Sequence, residues 1–231
     1  MSDAQITITV DGPYLVSGEV PIEVERIGQN AEGGSWTYEA VKPIAAGAKY
    51  ALCRCGESRT KPFCDGTHAR IGFDGTEVAS RAPHREQAAV LDGRAEQLED
   101  AEALCAFARF CDNAGSIWAL IAQTDDAAKA KIVRHEAHSC PSGRLVLRNK
   151  ATGKTDEPHL AKSIALIEDP EKNASGPIYV RGGIPIASLD GTPYEVRNRV
   201  ALCRCGASQN KPFCDGSHVD AAFRDGLGGL D

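Results

Sequence analysis

Hydrophobic and polar residues alternate at the start of the chain, a pattern that predicts β-strands. Isoleucine and threonine alternate between Met1 and Val10, as in a strand with one buried face. Two short apolar runs, 50–52 and 200–202, each lead directly into a cysteine-rich segment and predict strands that end there. The stretch 28–47 is rich in glycine and alanine, and we interpret it as a loop.

The pattern changes in the middle of the chain, where alanine is frequent and apolar residues recur at helical spacing. A first helix is predicted after Glu96, from the spacing of Ala101, Leu104, Cys105, Ala108 and Cys111. A short second helix is expected at 116–123. A third is expected at 125–138, with Thr124 as its N-cap. Strands are expected at 144–148 and 163–167.

Two parts of the chain repeat one pattern. The segment from Gly12-Pro13 to Pro21-Ile22 matches the segment from Gly176-Pro177 to Pro185-Ile186. A module of this size has little core of its own, so we expect the two copies to pair about an internal pseudo-two-fold axis. The predicted fold class is α+β, with modules at 1–80 and 171–231 and a small helical insert at 81–170.

Composition and charge narrow the classes of function. The net charge is −6, which gives no basic surface for nucleic acid. No apolar run approaches the roughly 20 residues of a membrane-spanning helix, and the N-terminus lacks the features of a signal peptide. We therefore expect a cytoplasmic protein without a membrane or nucleic-acid partner. In such a chain, nine cysteines favour metal binding over disulfides.

Six of these cysteines belong to two copies of one motif, C-x-C-x8-C-x3-H. Three thiolates and one imidazole make a complete ligand set for a soft or borderline metal centre. The candidate ligands are Cys53, Cys55, Cys64 and His68 in the first copy, and Cys203, Cys205, Cys214 and His218 in the second.

The spacing within each motif predicts a two-iron cluster. In an extended backbone Cys53 and Cys55 point the same way, while Cys64 and His68 share one face of a short helix. Asp65 is the expected N-cap of that helix, whose N–H groups would face the negative cluster. Two thiolates would therefore bind one iron, and a thiolate and an imidazole the other. The same reasoning applies to the second motif.

The histidine ligand has consequences for redox chemistry. A neutral imidazole in place of a thiolate makes the site less negative and raises its reduction potential relative to four-cysteine clusters. Its outer nitrogen can take a proton, so we expect the potential to depend on pH and acid to labilise the cluster. Lys61 and Lys211, with Asp65 and Asp215, are the candidates for nearby charges that tune the site.

Several functions remain open at this point. Electron transfer is the first hypothesis, and a cluster donor, a store or a redox or pH sensor is the second. Three cysteines and one histidine also describe a structural zinc site, so a zinc-stabilised interaction module is the third. Zinc fingers usually begin with C-x2–4-C, and the C-x-C spacing favours iron. No catalytic triad, phosphate loop or carboxylate pair is recognisable, and we expect no enzyme activity.

At these residues the chain resembles the CDGSH iron–sulfur domain family. The signature reads Cys214-Asp215-Gly216-Ser217-His218 in the second motif, and in the first it has Thr67 in place of serine. Lys-Pro-Phe before each third cysteine also fits. The resemblance implies one [2Fe-2S] cluster per motif, held by its three cysteines and one histidine. It further implies a β-sandwich that joins two modules, here within one monomeric chain, and a redox partner or cluster-acceptor protein.

Three cysteines lie outside the motifs. Cys105 and Cys111, followed later by Cys140-Pro141, are spaced like ligands of single-cluster ferredoxins, which would make a third centre. Because Cys105 and Cys111 also fit a helical pattern, the hypothesis we favour is that they are buried structural thiols. His135 and His138 are weaker metal candidates, and a solvated helix end is the expected alternative for them.

Overall fold

Three β-sheets contain most of the regular secondary structure in the computed structural model, which describes residues 3–228. The strands are β1 (Gln5–Ile8), β2 (Tyr14–Ser17), β3 (Ile22–Gln29), β4 (Ser35–Ile44), β5 (Lys49–Leu52), β6 (Ala89–Asp92), β7 (Glu96–Asp100), β8 (Leu145–Asn149), β9 (Thr155–Asp156), β10 (Ser163–Asp169), β11 (Ala174–Arg181), β12 (Ile186–Ser188) and β13 (Arg199–Leu202). The α-helices are α1 (Thr67–Ile71), α2 (His84–Gln87), α3 (Ile117–Leu120), α4 (Ala127–Ser139) and α5 (Ser217–Asp220). The ends of two predicted segments, residues 1–2 of the first strand and 229–231 of the second module, lie outside the described residues.

The first two sheets each include strands from the other half of the chain, β12 in the first sheet and the β3–β4 hairpin in the second. In the order β12-β1-β2-β5, the first half supplies three antiparallel strands, and β12 pairs parallel with β1 at the edge. In the order β13-β11-β10-β3-β4, strand β3 likewise runs parallel to β10. The amides of Ile6 and Ile164 bond the carbonyls of Pro185 and Pro21, each at 2.9 Å. The repeated Pro-Ile pair therefore marks the point where a strand joins the sheet of the other half.

Side chains from both sheets form one hydrophobic core. Strand alternation turns one face of each sheet inward, and the buried residues include Ile6, Tyr14, Val16, Val24, Leu52, Ile164, Leu166, Ile178, Val180 and Leu202. Burying each such side chain stabilises the fold by roughly 1.5–3 kcal/mol. The predicted α+β class is confirmed, with strands predominating.

The insert between the two halves contains the third sheet, in the order β6-β7-β8-β9, with α3 and α4 packed against it. These helices confirm the second and third predicted ones, and β8 confirms a predicted strand. The N-cap of α4 is Asp126 rather than Thr124, because the Asp126 carboxylate accepts from the amides of Ala128 and Lys129. The strand predicted at 163–167 is β10, which lies inside the second sheet. The proposed module bounds stay predictions.

The predicted first helix of the insert is wrong. Residues 96–100 form β7, and an irregular segment with short 3-10 turns follows as far as Asp112. Phe107 and Arg109 both have positive φ angles, 57° and 63°, which no α-helix accommodates. The interpretation of 28–47 as a loop is also wrong, because β3 and β4 form a hairpin there. Asn30 closes its turn by accepting from the amides of Glu32 and Gly34.

A buried carboxyl on α4 gives the fold a testable pH dependence. One oxygen of Glu136 accepts from the amides of Asn113 and Ala114, each at 3.3 Å. The other has no hydrogen-bond partner within residues 3–228. Burial raises the pKa of Glu136 to about 7. Because the folded chain then holds a proton that the unfolded chain has released, stability falls as the pH rises from about 4.5 to 7.

We therefore expect Glu136→Gln to become progressively more stable than the wild type as the pH rises. The gap in the free energy of unfolding should widen by roughly 2–3 kcal/mol between about pH 5 and 8. Denaturant unfolding of both proteins across this range measures it. Glu86→Gln, at an exposed position, is the control. A gap that does not change with pH would contradict the assignment.

Candidate metal centres

The two cysteine–histidine loops fold in the same way. Each begins where a strand ends, β5 for the first loop and β13 for the second. In the first, the amide of Cys53 bonds the carbonyl of Pro62 and the amide of Cys64 bonds that of Ala51. The second loop repeats both bonds, from Cys203 to Pro212 and from Cys214 to Ala201. The predicted strand ends at 50–52 and 200–202 are confirmed.

The candidate ligand side chains of each loop come together in two pairs. The sulfurs of Cys53 and Cys55 are 3.8 Å apart, and the Cys64 sulfur lies 3.3 Å from Nδ1 of His68. The corresponding distances in the second loop are 3.7 and 3.4 Å. Two thiolates bound tetrahedrally at about 2.3 Å lie about 3.8 Å apart. Each pair therefore has the spacing of two ligands on one metal ion.

The pairs remain separate from one another. Within residues 3–228, no three His, Cys, Asp or Glu side chains are placed to share a single metal ion. A [2Fe-2S] cluster requires two ligands on each of two irons, and the donor set of each loop fits that requirement.

The aspartate that follows the third cysteine braces each loop. Asp65 accepts from the amides of Arg59 and Thr67, at 3.0 and 2.9 Å. Hydrogen bonds from the Thr67 hydroxyl and these amides hold the pKa of Asp65 well below its usual value. The predicted N-cap is corrected, because α1 begins at Thr67 and Gly66 occupies the cap position.

Asp215 plays the same part in the second loop. It accepts from the amides of Gln209 and Ser217, at 2.7 and 3.0 Å. Burial acts to raise its pKa, but the hydrogen bonds from Ser217 and Gln209 outweigh that effect and lower it.

The two lysines bond to their own loops. Nζ of Lys61 donates to the carbonyl of Ser58 at 2.7 Å, and Nζ of Lys211 donates to that of Ser208 at 2.8 Å. Each ammonium thus holds a turn of backbone in place. An influence of these charges on the reduction potential stays a prediction.

Two arginines that the motif spacing did not identify as site residues also belong to the loops. Arg54 and Arg204 occupy the middle position of each C-x-C, and their residues are only 2% and 4% exposed. Arg54 donates to the carbonyls of Thr9 and Gly75. Arg204 donates to the carbonyls of Gly176 and Ile167 and to two buried carboxylates. An arginine at the same place in both motifs was the available signal.

The two loops touch each other through backbone. A side chain at Gly56 would collide with the carbonyl of Cys205, and one at Gly206 would collide with that of Cys55. Both glycines have a φ of 81°, so glycine is needed for conformation as well as for space.

The third cysteine and the histidine are covered in the C-terminal loop but partly exposed in the N-terminal loop. His218 and Cys214 are 3% and 2% exposed, whereas His68 and Cys64 are only partly buried. Burial, with a smaller contribution from the Arg204 charge, lowers the pKa of His218 to about 4. The cover is supplied by the insert at residues 106–107.

The three remaining cysteines line one small cavity in the insert. Cys105, Cys111 and Cys140 surround it together with Phe110 and Leu145. Burial, with the nearby Cys140 and Cys105 thiolates, raises the pKa of Cys111 to about 12. Cys105 lies in the irregular segment and Cys140 just after α4, so the helical argument for structural thiols does not hold.

The two histidines of α4 face different neighbours. His135 stacks on Trp36 with ring centroids 3.9 Å apart, and its Nε2 lies 3.0 Å from the Trp36 carbonyl. Nε2 of His138 lies 3.1 Å from the carbonyl of Asp156. The two histidine rings therefore contact different residues.

Comparison with known families agrees with this geometry. The family model described as iron-binding zinc finger CDGSH type matches residues 11–69 and 175–219. The chain belongs to the CDGSH iron–sulfur family, in a tandem form. A second model, described as divergent 4Fe-4S mono-cluster, matches residues 91–150, and this range contains the three other cysteines of the CDGSH protein.

The remaining comparisons add little. Searches of the curated proteins and of the solved structures returned no match to this CDGSH protein. In residues 3–228, none of its helices is long and apolar enough to cross a membrane.

Proposed function

We propose that this protein binds two [2Fe-2S] clusters and transfers electrons. The observation that carries the proposal is the pairing of ligands in each loop, at distances that suit two ligands on one iron. Cys53, Cys55, Cys64 and His68 would hold one cluster, and Cys203, Cys205, Cys214 and His218 the other. A cluster held in this way exchanges single electrons. The proposal assigns the chain no catalytic reaction.

The same pairing argues against zinc. One zinc ion would need all four donors of a loop around a single point, and the described residues contain no such group of even three. The zinc-stabilised interaction module is therefore the weaker proposal.

The histidines are proposed to couple electron transfer to protons. Nδ1 of each ring faces its cysteine partner, which leaves Nε2 as the outer nitrogen. The partly exposed ring of His68 gives this nitrogen access to water and to a partner protein, whereas the ring of His218 is sealed. Cluster donation and redox or pH sensing, the second hypothesis, would use the same ligands.

Internal pairing of the halves is part of the proposal. The reciprocal strand exchange and the contacts between Gly56 and Cys205 and between Gly206 and Cys55 support a pseudo-two-fold relation. An interface that otherwise needs two copies is then formed within one chain, which supports a monomer. We propose that this monomer works with a redox partner that is not yet identified.

We also propose a third iron–sulfur site at Cys105, Cys111 and Cys140. The three thiols line one cavity, and the segment belongs to the range matched by the mono-cluster family. In a cubane-type cluster each thiolate binds a different iron, so such ligands need not converge on one point. Three thiolates would bind three of the irons of such a cluster. Cys105 lies on an irregular loop, which is the kind of segment that supplies such ligands.

Metal analysis of anaerobically purified protein tests both proposals. We expect roughly seven to eight irons per chain in the wild type and a visible iron–sulfur spectrum. Cys111→Ser should retain about four irons, those of the two CDGSH sites. About four irons in both proteins would remove the third site and leave the CDGSH sites standing. A colourless protein with about two zinc ions per chain would contradict the electron-transfer proposal.

A further inference from the structure

The insert is docked on the C-terminal CDGSH loop at the side that carries Cys214. Ala106 packs against Cys214 and Ala201 in a small buried cluster. Phe107 lies so close to Gly216 that any side chain there would collide with it. Nδ2 of Asn210, inside the loop, donates to the carbonyl of Ala103 at 2.7 Å. The residues on both sides of Cys105 are thus fixed to this loop.

The segment that carries Cys140 is tied to the same module. Nη1 of Arg199 donates to the carbonyl of Cys140 at 2.8 Å, and Nη1 of Arg197 donates to that of Ser142 at 2.7 Å. The Arg199 side chain is fully buried, and its charge is balanced by Glu157 at 2.8 Å. Arg199 opens β13, the strand that leads into Cys203. The segments that carry Cys105 and Cys140 are therefore both held against the C-terminal module.

The insert reaches the C-terminal site through Ala106, the residue after Cys105. The covalent neighbour of Cys105, Ala106, touches Cys214 directly. The insert site and the C-terminal site are therefore separated by little more than one alanine.

The N-terminal loop, at the other end of this arrangement from the insert, is its open end. The backbone contacts at Gly56 and Gly206 place the N-terminal loop directly against the C-terminal loop. Among residues 3–228, no atom lies within 4 Å of a side chain placed at Gly66, the counterpart of the covered Gly216. His68 and Cys64 lie on this uncovered side and are partly exposed.

We propose, on the basis of the proposed function, that the three sites form one electron path in the order insert site, C-terminal CDGSH site, N-terminal CDGSH site. A low-potential one-electron donor reduces the insert site. One electron then moves to the C-terminal site, so that the insert site is oxidised as the next is reduced. The same step repeats toward the N-terminal site. There an electron-accepting protein docks beside His68 and is reduced, and no bond is made or broken.

Electron paramagnetic resonance of the dithionite-reduced protein tests the order of the path. A paramagnetic centre relaxes faster beside another one, and its signal then saturates at higher microwave power. We expect the C-terminal CDGSH signal to saturate at several-fold higher power than the N-terminal one. His68→Cys should shift only the signal of the N-terminal site and His218→Cys only that of the C-terminal site. The two variants therefore assign each signal to its site. In Cys111→Ser, the C-terminal signal should saturate at nearly the same power as the N-terminal one. Cys105→Ser is the replacement variant if Cys111→Ser does not fold.

A second measurement tests which end is open. A soluble dysprosium chelate, which relaxes signals at exposed centres, should act more strongly on the N-terminal signal than on the C-terminal one. Phe107→Ala removes the aromatic ring beside Gly216 and should bring the C-terminal response closer to the N-terminal one. Equal responses in the wild type would overturn the assignment of the open end.

The outcomes separate this proposal from the one on which it rests. CDGSH signals that saturate alike, or a faster N-terminal signal, would overturn the order of the path even when all three sites contain iron. An iron count without a third site would instead remove the third centre and the path together.

Discussion

Replacing Arg204 with methionine is expected to lower the free energy of unfolding by roughly 3–5 kcal/mol. The guanidinium lies 2.9 Å from Oε1 of Glu168 and also pairs with Asp225, and both carboxylate side chains are only 1% exposed. The variant would leave two buried negative charges without a counterion. The cost of an uncompensated buried charge exceeds the net contribution of the original ion pair.

Arg54→Met is the matched control, because Arg54 occupies the same position in the other C-x-C motif. Its hydrogen bonds go to the backbone carbonyls of Thr9 and Gly75, at 3.2 and 2.5 Å. Loss of these bonds is expected to cost about 1–3 kcal/mol. Both variants lie beside cysteine ligands, so the difference between them isolates the buried carboxylates. Denaturant unfolding under anaerobic conditions measures it, and equal losses would contradict the prediction.

The pH dependence of the Arg204→Met effect has a defined sign. Burial raises the pKa of Glu168 even with Arg204 present. A carboxyl with a raised folded-state pKa takes up a proton more readily in the folded chain, so its destabilising effect grows as the pH rises. The loss of stability in Arg204→Met should therefore shrink as the pH falls. Adding Glu168→Gln and Asp225→Asn should recover part of it at neutral pH.

The second large effect is expected at His68 and His218, the proposed histidine ligands. His68→Cys should lower the reduction potential of the N-terminal site by on the order of 100 mV. A thiolate brings a negative charge where the imidazole is neutral, and the oxidised cluster, which carries less negative charge than the reduced one, is then favoured. The variant retains four potential ligands, so its iron content should be unchanged. Potentiometric titration followed in the visible spectrum measures the shift.

His218→Cys is the matched variant for the C-terminal site. It should lower the potential of that site by a similar amount and leave the N-terminal potential nearly unchanged. His68 is half-buried and His218 is fully buried. We therefore expect the reduction potential of the N-terminal site to depend more steeply on pH than that of the C-terminal site. A potential that is unaffected by either substitution would show that the histidine is not a ligand.

Local pattern was sufficient for much of this protein. The candidate ligands follow from two motifs of identical spacing, and the geometry brings them into pairs because C-x-C and C-x3-H are short enough for the backbone to fix. The strands before each loop, and the Pro-Ile pairs that start β3 and β12, are likewise local features that appear twice.

Other features depended on residues far apart in the chain. The helical spacing near Cys105 and Cys111 was misleading, because small apolar residues at that spacing also suit an irregular segment that is buried on two sides. The roles of Arg54 and Arg204 depend on partners such as Gly75 and Asp225, which no spacing rule connects to them.

The sequence by itself determined what this protein can bind, because ligand type and spacing are local properties of the chain. The tertiary structure decided how the sites are arranged: which half completes each sheet, which loop the insert covers, and which histidine stays exposed. These outcomes depend on packing between segments more than 100 residues apart, such as Ala106 on Cys214. Two nearly identical motifs were thereby placed in different surroundings.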